Sequence, residues 1–140
     1  MAFAGLNYLA IVAAAIASFA FGGVWYGVLG KPWMEALGKT KDEVMGPSGK
    51  PPVAAMIKSA LAGLVMAWVL AGIMGHLGPG RITPTNGLIS GAFCWLGFVA
   101  TTLVVNHGYQ RSKASLMLID GAHWLGVLLI QGAVIGMMGV

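Results

Sequence analysis

Within SLMLIDGAHWLGVLLIQG, residues 115–132, an aspartate and a histidine interrupt an apolar run long enough to cross a bilayer. On a helix Asp120 and His123 occupy adjoining faces, and Asp120, Trp124, Val127 and Gln131 continue one stripe. A carboxylate beside an imidazole inside a membrane is the pairing of proton relays, because imidazole changes charge near neutral pH. A cation held against Asp120 would keep the carboxylate ionised and end any relay. Lys58 is the candidate for that cation, as the one charged residue inside the second apolar run.

Depth brings these side chains to one level. At 1.5 Å per residue, Lys58 lies roughly 8 Å inside the start of its span and Asp120 roughly 9 Å inside the start of the last. Asn106 and His107 close the third span on the same side, and Trp25 and Tyr26 close the first. The candidate intramembrane polar site is therefore Asp120, His123, Lys58, Asn106, His107 and Tyr26. Three readings of Asp120 compete. It forms an ion pair with Lys58 that fixes the register of spans two and four. Alternatively, it sits near a helix start that favours an anion while Lys58 snorkels to the interface. The third reading is a polar functional site.

An aspartate does not prevent insertion. A mid-membrane charge costs about 2.5–3.5 kcal/mol, less toward the interface. Eleven Leu, Ile and Val residues between Leu116 and Val140 return about 0.4 kcal/mol each. Asp120 must then point into the protein, toward a partner or water.

The elements that position these residues follow from composition. The 140 residues are 58% hydrophobic and 9% charged, with mean hydropathy +0.83. A soluble domain carries roughly 25% charged residues. Four apolar stretches, about 6–29, 53–77, 85–105 and 114–136, each match the hydrocarbon thickness. Gly- and Pro-rich segments at 30–32, 47–52 and 78–84 separate them. Backbone groups in hydrocarbon need internal partners, so the fold class is all-α, a polytopic four-helix membrane bundle forming a single domain. The first span lacks a basic leader and is too long for a signal-peptide core, so it reads as a permanent helix.

Small residues recur every fourth position at Ala10, Ala14, Ser18 and Gly22, and at Gly63, Ala67, Ala71 and Gly75. Such ridges let helices approach closely, within one chain or between copies. The expected partners are the lipid bilayer and a second copy or another membrane protein. Lys and Arg follow the loops, without the concentrated patch that nucleic acid requires. Lys31, Lys39, Lys41, Lys50, Arg111 and Lys113 flank one side and Arg81 the other. This places the first and third loops in the cytoplasm, with both termini outside the inner membrane.

In the first loop, KPWMEALG reads as a short surface helix between Pro32 and Gly38, with Lys31, Trp33 and Trp25 as interfacial anchors. Thr40–Glu43 has capping-box spacing. Trp68 and Trp95 fall near mid-depth and read as packed core, His76 as interfacial, and the single cysteine, Cys94, as a small core side chain. Asp120, His123 and His107 would supply a metal with three ligands only if spans three and four face each other suitably. No residue pattern calls for a cofactor, a nucleophile or a phosphate loop; GGVWYG is preceded by no strand. The expectation is a non-enzymatic, self-associating or complex-associated membrane subunit. The alternative is a small channel or transporter with Asp120 and His123 lining a vestibule.

The stretch GGVWYGVLGKPWMEALG, with Trp25, Tyr26 and Trp33, and the last span SLMLIDGAHWLGVLLIQGAVIG resemble a bacterial family of four-span membrane proteins, domain of unknown function seventeen-sixty-one. The resemblance covers nearly the whole chain and implies a fold and a membrane location, but no reaction. Members often carry an aromatic just after the Asp-Gly or Asp-Ala step, where this chain has His123 followed by Trp124, so no histidine mechanism is carried over.

Overall fold

The computed structural model describes residues 5–140, and every regular element among them is helical. The first helix, α1 (Tyr8–Leu37), is followed by a short α2 (Lys41–Met45) and by α3 (Val53–Gly75). The third span comprises α4 (Pro84–Cys94), a π-helical turn over Trp95–Ala100, and α5 (Thr101–Gln110). The chain closes with α6 (Ala114–Met138). Four helical spans are long and apolar enough to cross a membrane.

The first span differs from the sequence reading. Pro32 does not start a new helix but lies inside the 30-residue α1, which is about 45 Å long and outruns a hydrocarbon core of about 30 Å. Proline withdraws one backbone donor from the helix interior. Contacts along α1 and beyond it hold the added turns: Ala36 is buried, Trp33 meets Tyr26 of the same helix edge-on, and Lys113 donates from Nζ to the Glu35 carbonyl at 3.4 Å. Gly38 ends α1 in the left-handed conformation (φ 73°), where its missing Cβ matters. At α2, Thr40 and Glu43 form the capping box that their spacing predicts.

α6 is the central helix, packed along α1 on one side and α4 on the other, with α3 lying mainly on α1. The α4–α6 contact is the closest. A methyl group on Gly87 would strike the Gly132 carbonyl, and one on Gly132 would strike that of Gly87. Gly91 and Gly136 face backbone at Leu128 and Thr83 in the same way. These are two GxxxG ridges, 87–91 and 132–136, pressed together. Along α1, Ala10, Ala14 and Ser18 are buried, as are Ala67 and Ala71 on α3. The small-residue ridges are thus used inside the chain.

α3 packs by one half only. Ala67, Leu70, Ala71, Gly72 and Met74 are buried, whereas every residue from Val53 to Ala62 is exposed. Its first-loop end stands away from the bundle. Trp68 falls beside the buried stripe and is 41% exposed, not core as its depth suggested. In the third span the π turn is stabilised by Thr101 and Thr102, which donate to the Gly97 and Phe98 carbonyls at 2.8 and 2.6 Å. Such turns recur at functional positions in α-helices.

Candidate functional site

The Tyr26 hydroxyl donates to Asp120 Oδ1 at 2.6 Å, joining α1 to α6. Of the three readings of Asp120, the ion pair with Lys58 is not the contact formed: Lys58 is exposed on α3, and the carboxylate accepts from Tyr26 instead. The reason is geometric. Equal depth does not put two side chains on facing surfaces, and Lys58 lies in the exposed stretch of α3, Val53–Ala62. Two indoles hold the backbone on either side of Asp120: Trp25 Nε1 donates to the Ile119 carbonyl at 3.1 Å, and Trp95 Nε1 to that of Gly121 at 2.8 Å. Trp25 and Trp33 both turn inward rather than serving only as surface anchors, whereas Lys31 is exposed. Trp95 reaches α6 from the first residue of the π turn.

His123 is 7% exposed and sits in an aromatic group. Its ring lies 4.9 Å from that of Tyr26 and 4.8 Å from that of Trp124, and stacks on Phe21 at 6.0 Å with 6° between planes. Its Nδ1 is enclosed without a hydrogen-bond partner. A Cβ on Gly22 would stand 2.9 Å from Nε2, so a residue without a side chain is what lets the imidazole lie against α1. Phe21 in turn occupies the space over Gly126.

One turn pair deeper, Gln131 is fully buried and ties three helices together. Its Nε2 donates to Ser18 Oγ on α1 and to the Gly63 carbonyl on α3, both at 3.0 Å. Its Oε1 has no partner. The sequence reading placed Gln131 on the Asp120 stripe without making it a site residue. An amide inside an apolar run is as conspicuous as an aspartate, because either must find hydrogen-bond partners.

Between α1, α3, α6 and the segment around α2 lies a cavity of about 500 Å³. Tyr26, His123 and Trp124 form one wall, Trp33, Val44 and Met45 stand toward the first loop, and Ser59 and Gly63 belong to α3. No Lys, Arg, Asp or Glu lines it. The parting of α3 from α1 creates this vestibule on the first-loop side.

The recorded contacts unite Tyr26, Asp120 and His123 from the anticipated polar set. Asn106 is exposed on α5, and His107 is half-buried with an enclosed, unpartnered Nδ1. Asp120, His123 and His107 form no metal-binding cluster among the described residues. His76 ends α3 at the exposed edge of the second loop, and Cys94 is half-buried against the core.

A bundle of four apolar helices enclosing an intramembrane polar contact is a multi-pass membrane protein. The chain belongs to the family described as Protein of unknown function (DUF1761), whose match covers residues 9–136. Comparison with curated proteins and with solved structures returns no match.

Proposed function

We propose that this protein binds a small amphiphilic solute in the vestibule between α1, α3 and α6 and passes it between the membrane and the water beyond the first loop. The observation that carries this reading is the cavity itself: an apolar chamber of about 500 Å³ ending on the Tyr26–Asp120 hydrogen bond and the His123 ring. Pockets for small molecules combine such apolar walls with few polar groups. On this reading the chemistry is binding and transfer. The excess of Lys and Arg on the first and third loops supports a bacterial inner-membrane location with those loops cytoplasmic.

The test is thiol accessibility in sealed vesicles. In a Cys94→Ala background, Ser59→Cys is expected to react with a membrane-impermeant maleimide from the first-loop side and to be protected by bound solute. An unreactive Ser59→Cys, with Ser48→Cys reactive in the same vesicles, overturns the vestibule reading.

A second reading is self-association, and one observation favours it. Asn106 presents an amide among exposed Val104 and Val105 on α5, where a second copy would satisfy it better than lipid.

A further inference from the structure

We propose that the vestibule selects lipophilic organic cations, ammonium or phosphonium ions bearing alkyl or aryl groups. The inference rests on the binding reading above and adds the charge and chemical class of the solute.

Three features converge on that class. The first is shape and polarity: a chamber of about 500 Å³ walled by Trp33, Val44, Met45, Met56 and Trp124 accepts an apolar body and offers an ion little hydration. The second is the aromatic surface. Tyr26, His123 and Trp124 are packed together at the wall, and the negative face of an aromatic ring attracts a cation, most strongly when water is excluded. Tyr26 is also polarised, because its hydroxyl donates to a carboxylate.

The third is charge. No Lys or Arg lines the chamber, and the formal charge joined to its wall by a hydrogen bond is the Asp120 carboxylate. The hydrogen-bond donor to that carboxylate is a neutral phenol. Lys58, the cation that composition offers for it, is exposed on α3 instead. A carboxylate inside a membrane segment calls for a compensating positive charge, and a cation against Tyr26 would supply it. An anion would meet the same carboxylate without a counter-charge.

The experiment titrates the purified full-length protein in detergent at about pH 8 with tetraphenylphosphonium, its anionic isostere tetraphenylborate and neutral triphenylphosphine oxide. Quenching of the tryptophan fluorescence, to which Trp33 and Trp124 at the wall contribute among five tryptophans, reports binding, corrected against protein-free micelles. The cation is expected to bind about tenfold tighter than either counterpart. Asp120→Asn should remove that preference, and Asp120→Glu and Lys58→Met should retain it. Equal binding of all three probes overturns cation selectivity and leaves the vestibule reading intact. Absence of binding by every probe, with no protection of Ser59→Cys, overturns both. Should Asp120→Asn not fold, the ratio among probes on the unaltered protein still decides.

Discussion

At the scale of single residues, the decisive contact is between Tyr26 and Asp120. A hydrogen bond to a charged group contributes more than a neutral one, and interhelical bonds in membranes average about 0.6 kcal/mol with a maximum near 1.7. Tyr26→Phe is therefore expected to destabilise the protein by about 0.6–1.7 kcal/mol. The effect should shrink when Asp120→Asn is already present, because the two changes remove one interaction. Lys58→Met should instead add to Asp120→Asn within about 0.5 kcal/mol, as independent sites do. Thermal or denaturant unfolding of the singles and doubles in detergent measures both cycles. Strong coupling of Lys58 to Asp120 would restore the ion pair. Asp120 itself was legible as a site, since a carboxylate in an apolar run needs a partner. That the partner is a tyrosine 94 residues away was not, because phenols near a span end satisfy the aromatic-belt pattern equally well.

At the scale of elements, the α4–α6 seam holds the bundle centre. The glycines at 87, 91, 132 and 136 meet backbone rather than flexible side chains, so an added methyl cannot be absorbed by a rotamer change. Gly132→Ala is expected to cost about 1–3 kcal/mol through overpacking. Gly97→Ala, on an open face of the π turn with nothing within 4 Å, should change stability by less than about 0.5 kcal/mol. Parallel melting curves of the two variants check the contrast. Both GxxxG spacings were visible in the sequence, among 22 glycines that gave no reason to prefer one ridge over another. The capping box at Thr40 was fully legible because its chemistry is local. The continuation of α1 past Pro32 was not, since the contacts that hold those turns come from Tyr26 on the same helix and Lys113 beyond the third loop.

For the whole molecule, Ala10, Ala14, Ser18, Ala67 and Ala71 of the small-residue ridges are buried by packing within the chain, so those positions do not also serve a second copy. A dimer would instead use the exposed face of α5. Asn106→Leu removes the amide from that face, and it is expected to shift any dimer toward monomer in light-scattering chromatography while leaving the melting curve near that of the unaltered protein. An unchanged dimer fraction would exclude Asn106 from the contact. The vestibule arises at the same scale: α3 packs only by the half nearer the second loop, and its other half parts from α1 to leave the chamber.

The amino-acid sequence by itself determined four apolar spans and their helical form, because hydrocarbon offers backbone groups no partners and only length and composition are needed to see it. It also marked Asp120 and His123, since polarity is conspicuous where everything else is apolar. The tertiary structure alone decided which helices touch, which side chain meets Asp120, and where the cavity opens. In water, the buried face of a helix is apolar and the exposed face polar, so neighbours can be read from periodicity. In a membrane both faces are apolar, and that signal disappears. What then selects one helix face over another is close approach at glycines 87 and 132 and hydrogen bonds such as those of Tyr26, Trp95 and Gln131, none of which a linear pattern contains.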